Sequence, residues 1–238
     1  MAAAYRRVIL KVSGEALSGD GRPISSEAAS RLAAEIASAA DLGVEGGVVV
    51  GGGNILRGAA STGGGADARV AADHAGMIAT ILNALALRTA LTGLGRPAAV
   101  LSAIPCGHVA EVYDHRRAGA LLSGGTIVIF AAGTGNPFFS TDTAAALRGA
   151  ELGADALLKA TKVDGVYDSD PVKNPGARRF ENLTSLDMIE RGLAVMDLTA
   201  VSLCRQDRLP IVVFALSTPG AVARAVRGEA VGTRVMEG

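Results

Sequence analysis

The sequence has no tryptophan, and its 238 residues include only three tyrosines and five phenylalanines. So few rings leave no platform on which successive bases of a nucleic acid would stack. Excess charge is also missing, since 23 Lys and Arg stand against 23 Asp and Glu, and bulk attraction to a polyanion or an anionic membrane is thereby removed. Cysteine is scarce: Cys106 and Cys204 lie far apart, with no CxxC and no second pair. That excludes a disulfide scaffold and reads as two reduced thiols in a cytosolic protein. His74, His108 and His115 lack metal-ligand spacing. Long apolar runs are absent too. In MAAAYRRVIL the arginines precede three apolar residues before Lys11, whereas a secretory core takes about 7–15. The longest uncharged stretch, 118–141, is interrupted by glycines and Pro137, unlike a membrane span of about 20 apolar residues. A cytoplasmic protein without a membrane segment is expected.

What the chain does have is alternation. Short β-branched runs at 8–12, 47–50, 98–101, 126–130, 156–158 and 211–214 predict buried strands. Longer alanine- and leucine-rich stretches at 26–41, 68–92, 106–122, 143–152, 186–205 and 220–227 predict helices. Continuously apolar strands separated by helices imply a parallel sheet covered on both faces. The expected fold class is α/β, a three-layer α/β/α sandwich with a mainly parallel central sheet, in a single domain spanning 1–238. A chain of this length buries roughly 70–75% of its unfolded surface and needs no staple.

In such a sheet, ligands sit at the carboxyl ends of the strands, and four strand exits carry unusual chemistry. The first is Lys11-Val12-Ser13-Gly14, where a lysine inside an apolar strand loses hydration and must find an anion. The second is Gly51-Gly52-Gly53-Asn54, followed by Arg57 and Gly58. Consecutive glycines let backbone N–H groups approach an anion closely, and the arginine fork suits phosphate oxygens. The third, AAGTGNPFFSTDTAAALRGA at 131–150, is far longer than a usual connection of about 2–6 residues. Its glycines and Asn-Pro turn shape a loop, Phe138 and Phe139 offer an apolar wall, and Ser140 or Thr141 can cap the next helix. Asp142, at that helix start, either serves the helix dipole or orients the lysine or a magnesium ion. The fourth runs from Lys159 to Tyr167 and into a long polar loop. Its groups suit an adenine and ribose, although Lys159 and Lys162 taken alone read as solvated surface charges.

No glycine precedes a lysine, so no Walker A loop exists, and Leu56 breaks the dinucleotide fingerprint. There is no protein-kinase set, no G-x-S-x-G and no HExxH.

Together the strings KVSGEAL, VVVGGGNILRG, DHAGM, GTGNPFFSTDTAA, LLKATKVDGVYDSDP, VMDLTA and GEAVGT resemble the amino-acid-kinase superfamily, and within it the bacterial uridylate kinases. The likeness runs from about Arg6 to Thr233. The resemblance implies the amino-acid-kinase fold and transfer of the ATP γ-phosphoryl group to UMP with Mg²⁺. By motif match it places Lys11, Val12, Ser13, Gly14, Gly53 and Arg57 on the ATP phosphates, and Thr161, Tyr167 and Asp170 on the adenosine side. Gly52 and Asp73 would contact UMP, with Thr134, Gly135, Asn136, Pro137, Phe138, Phe139, Ser140 and Thr141 wrapping it. Lys11, Arg57 and Asp142 would be catalytic, with no protein metal site. The N-terminal part would then serve mainly the acceptor and the C-terminal part mainly ATP.

The likeness further implies a homohexamer, with the apolar helix at 71–91 available for a partner, inhibition by UTP and activation by GTP. Relatives that respond strongly to GTP carry basic residues near 120–126, where this chain has none, so weak activation is expected. Two rival readings are a superfamily kinase acting on a carboxylate or carbamate, and a nucleotide-binding storage protein.

Overall fold

Strand parity sorts the two cores. In β1 (Arg7–Val12) the residues Val8, Leu10 and Val12 join one hydrophobic cluster and Ile9 joins the other. Alternation puts Lys11 on the Ile9 side. The same division continues through β2 (Glu45–Val50), β5 (Ile127–Ala131) and β8 (Ile211–Ala215). The computed structural model describes residues 2–56, 65–193 and 195–237.

With β3 (Ala98–Ser102), β4 (Glu111–Val112), β6 (Ala156–Thr161), β7 (Asn182–Thr184) and β9 (Gly232–Met236), the strands form one sheet ordered β4-β3-β5-β2-β1-β6-β8-β9-β7. Pairing is parallel except where β9 runs against β8. Helices α1 (Ser26–Ala40), α2 (Gly65–Gly93) and α7 (Ala221–Val226) cover the Val8 face, and α3 (His115–Ser123), α4 (Thr141–Leu152), α5 (Ser185–Glu190) and α6 (Leu198–Gln206) cover the Ile9 face. This is the expected three-layer α/β/α architecture. The chain winds from β1 outward through β2, then returns to β6 on the other side of β1. The carboxyl ends of β2, β1 and β6 therefore surround a topological switch point, where a crevice opens.

Four sequence readings are corrected. The helix expected over 106–122 exists only from His115: Asp114 accepts a hydrogen bond from Arg117 N at 2.9 Å and starts it there, while Glu111 and Val112 pair with the end of β3. The helix expected over 186–205 is two, because Gly192 at φ +60° ends one and Asp197 caps the next. The strand expected to stop at 158 continues to Thr161, which places Lys159 inside the sheet. The strands β7 and β9 were not read at all, being short and, in β9, alternately buried and exposed. The 29-residue α2 is long and apolar enough to cross a membrane by length and composition. Here it lies against the sheet, with Ala84, Leu87 and Leu91 fully buried.

Candidate active site

Lys11 and Lys159 stand in direct register on the adjacent strands β1 and β6. Their even-numbered neighbours fill the opposite core, so both side chains rise toward α4. There Asp142, in the first turn of α4, receives both: Lys159 Nζ donates to Oδ2 at 2.5 Å, and Lys11 Nζ lies 2.8 Å from Oδ1. Lys11 thus forms a close ion pair with the carboxylate, and an ammonium has three N–H groups, so one such contact leaves others for a second anion. The two ammonium groups and the Asp142 carboxylate together carry one positive charge in a partly dehydrated place, with the Asp197 carboxylate acting on Lys159 from further off.

The protonation states follow from this packing. Burial pushes Asp142 upward, but the charges of Lys11 and Lys159 more than offset it and hold the carboxyl below its ordinary range. Lys159 shifts the other way: burial lowers its pKa, Asp142 raises it, Lys11 lowers it again, and the net is downward.

Ser140 caps α4, accepting from Asp142 N at 2.9 Å and Thr143 N at 3.3 Å. Its own hydroxyl donates to Asp197, which also accepts from Thr143 Oγ1 at 3.0 Å and caps α6 through Ala200 N at 2.9 Å. The carboxylate that holds the lysines is thus positioned by a second carboxylate at the start of the next helix pair.

Thr141, next to Asp142 in the chain, lines a cavity of about 160 Å³ with Gly52, Gly53, Asp73, Thr134, Asn136 and Phe139, among others. Gly135, Pro137, Phe138 and Ser140 belong to the same loop but do not line it. Gly135 is at φ +80°, and a Cβ there would lie 2.9 Å from Ala103 O, so only glycine serves. Asp73 accepts from Phe138 N at 2.8 Å and from Arg69 Nε at 2.9 Å, tying the loop to α2. Burial raises its pKa, but those bonds outweigh burial and the net shift is downward. Phe138 and Phe139 are more than half exposed, and Arg69 stands over the Phe138 ring.

Two further α2 side chains brace the glycine exits. Thr80 Oγ1 accepts from Ala132 N at 2.7 Å, and fully buried Asn83 donates to Gly51 O at 2.7 Å and to Asn54 Oδ1 at 2.7 Å. Asn54 in turn packs so closely on the first exit that a Cβ on Gly14 would sit 2.2 Å from its Oδ1.

Beyond the end of β6 a larger cavity, about 610 Å³ and mainly apolar, is bordered by Ser13, Ala28, Leu32, Thr161, Lys162 and Leu216. Ser13 caps the short 3-10 turn at Gly14–Leu17, and Val12 is fully buried. Lys162 pairs with Glu15 at the rim. Tyr167 and Asp170 do not border this cavity. Tyr167 donates to Asp164 Oδ1 at 2.6 Å, and Asp170 accepts from Val172 N at 2.9 Å in a turn of the long loop. Arg57 and Gly58 lie outside the described residues. Among the described residues no group of three or more His, Cys, Asp or Glu is placed to hold a metal ion.

Sequence reasoning brought Lys11, Asp142 and the loop residues together but missed Lys159 as a partner. The signal was partial: RVILKV and ALLKAT each carry one lysine in an otherwise apolar strand, fifth in the first and fourth in the second, and only the register sets the two side by side. Thr80, Asn83 and Asp197 were also missed, since a bracing role shows only once the helices are packed.

The chain belongs to the amino acid kinase family, whose profile matches residues 6–215. It is 52% identical over 235 residues to the uridylate kinase of Methylococcus capsulatus, covering 98% of each chain. To the uridylate kinase of Brucella abortus it is 53% identical over 227 residues, covering 95% of this chain and 94% of the relative. Among solved structures, the UMP kinase from Bacillus anthracis superposes with a TM-score of 0.93 at 41% identity, over 98% of this chain and 96% of that one. The UMP kinase from Ureaplasma parvum gives 0.90 at 36% identity, over 97% and 98%.

Proposed function

We propose that this protein is a nucleoside monophosphate kinase of pyrimidine nucleotide biosynthesis, transferring the γ-phosphoryl group of ATP to UMP to give UDP and ADP. The observation that carries this reading is the largely buried Lys11–Asp142–Lys159 triad at the carboxyl ends of β1 and β6, in a chain similar over nearly its whole length to uridylate kinases. One cavity is small and lined by loop backbone, hydroxyls and Asp73, chemistry suited to a ribose and a polar base. The other is larger and apolar, which suits an adenine. On this division the acceptor falls to the N-terminal part, while the donor cavity draws on both parts, on Ser13, Ala28 and Leu32 as well as Thr161 and Leu216.

Phosphoryl transfer needs two anions to meet in line, with charge spreading over the transferred group. The UMP phosphate is already an anionic nucleophile, so no strong general base is required. Lys11 neutralises oxygens of the transferring group, and Lys159 does so from the neighbouring strand. Asp142 holds both amines in place, and Arg57, by the motif match, adds a further cation for the phosphates. Ser13, Gly14 and Gly53 receive donor phosphates, with Gly52 and the 134–141 loop on the acceptor. Mg²⁺ bound to ATP supplies further neutralisation of the β- and γ-phosphoryl oxygens. Because both Asp142 oxygens face lysines, the ion's ligands are expected to be phosphate oxygens.

A homohexamer, inhibition by UTP and weak activation by GTP complete the proposal. Association is supported by the outward face of α2, where Ile78 and Leu82 are about half exposed, and the two effector responses rest on the family resemblance alone. The test is UDP formation from UMP and ATP with and without Mg²⁺, beside a panel including glutamate and carbamate. Nucleotide binding without UDP production would instead favour a storage role, and phosphorylation of a carboxylate or carbamate would overturn the acceptor.

A further inference from the structure

The segment GEAVGT ends in Thr233, a fully buried hydroxyl in β9 that makes no contact with the triad. Its Oγ1 accepts from Val166 N at 2.8 Å and donates to Phe180 O. These two residues open and close the long polar loop that carries Tyr167 and Asp170. Around them the loop forms a narrow neck: Phe180 N donates to Val166 O at 2.8 Å, Tyr167 bridges Arg179, and Asp168 N donates to Arg178 O at 3.1 Å. Arg179 and Tyr167 both close onto Asp164. The single hydroxyl thus ties both sides of the neck to the sheet at the far side of β8.

Close packing fixes the arrangement. A Cβ on Gly165 would stand 2.6 Å from Thr233 Oγ1, and one on Gly232 would stand 2.0 Å from Val213 O and 2.9 Å from Asp164 O. The chain leaving β6 therefore has one path, set by contact with Gly232 and Thr233.

We propose that Thr233 is a positioning residue for the donor nucleotide: by clipping the neck at Val166 and Phe180, it sets the angle at which the loop presents Tyr167 and Asp170 to ATP. This rests on the reading of the protein as an ATP-dependent UMP kinase whose loop carries the adenosine contacts of Tyr167 and Asp170 that the family resemblance implies, since neither residue borders the apolar cavity itself. Acceptor binding is expected to be insensitive to Thr233, because the acceptor cavity is built from β2, α2 and the 132–141 loop, none of which Thr233 touches.

The test compares wild type, Thr233→Val and Thr233→Ser in UDP formation, with KM measured separately for ATP and UMP, alongside calorimetric binding of MgATP without UMP. Valine keeps the shape but removes both hydrogen bonds. It is expected to raise KM for ATP and weaken MgATP binding by roughly 5- to 30-fold, the range from losing one or two such bonds, with KM for UMP within about two-fold. Serine, which restores the hydroxyl, is expected to recover ATP affinity. A Thr233→Val protein of lowered melting temperature with unchanged ATP parameters would overturn the proposal, as would equal shifts in both KM values. If valine prevents folding, Thr233→Ala is read in the same way. Should wild type itself form no UDP, the kinase reading fails first and this inference with it; wild-type activity with no selective ATP effect defeats the inference alone.

Discussion

A carboxylate with a lysine on each oxygen explains why Asp142 is worth burying: either lysine alone would leave a smaller field, and neither would be held without it. Replacing Lys159 with methionine keeps the volume and removes the charge. We expect turnover to fall by about 10²–10³, the usual loss for one preorganised donor, with Lys11→Ala behaving alike in the same coupled assay. Wild-type turnover in Lys159→Met would remove that residue from the chemistry. The pKa directions set the pH behaviour. Because the Lys159 value lies below the ordinary 10.5, kcat/KM should decline on the alkaline side before pH 10.5 is reached. Between the folded and unfolded values the unfolded chain binds more protons, so Lys159 makes stability rise, not fall, over that window. A kcat/KM decline that tracked melting would contradict this. For Asp142 the folded value is depressed below 3.8, so its contribution to stability is complete above the unfolded value and lost only as pH falls through the folded one. Cys204 is a contrasting buried group: burial raises its thiol pKa to about 12, and it is expected to resist alkylation in the folded protein.

At the scale of elements, the site depends on how helix starts are fastened. Asp197 joins the α4 and α6 starts, and Asp197→Ala removes a cap and leaves the buried Thr143 hydroxyl without its acceptor. The expected cost is about 2–4 kcal/mol, a cap plus an unmatched buried group, measured as a shift in the urea midpoint. Asp197→Asn, which keeps one acceptor oxygen, should lose less than half as much; equal losses would show that the charge, not the hydrogen bonds, was at work. One of these starts was readable in advance. Of the two candidates Ser140 and Thr141, Ser140 is the one that caps α4, as a small polar residue before an apolar helix does. The 186–205 region misled because its apolar residues Leu186, Ile189, Leu193, Met196, Ala200 and Leu203 keep a helical rhythm across Gly192, and rhythm does not register a single left-handed glycine. The 106–122 region misled because two residues of edge strand carry too little pattern to be seen.

At the scale of the whole molecule, the exposed α2 face predicts association. Leu82→Glu should move the protein from a multimer to smaller species in sedimentation, and a wild type that sediments as a monomer would end the hexamer proposal. The layered α/β/α fold, the order of its main elements and the loops at the strand ends followed from local chemistry, since apolar runs, caps and glycine turns act over a few residues and stay visible along the chain. Lys159, Asn83, Asp197 and Thr233 acquired their roles only from packing. Each is polar and set in otherwise apolar surroundings, and whether such a group is a defect or a brace depends on which partner meets it from 17 to 67 residues away. Sheet register and helix docking decide that meeting, because burial makes an unmatched polar group costly and only the assembled tertiary structure supplies the match.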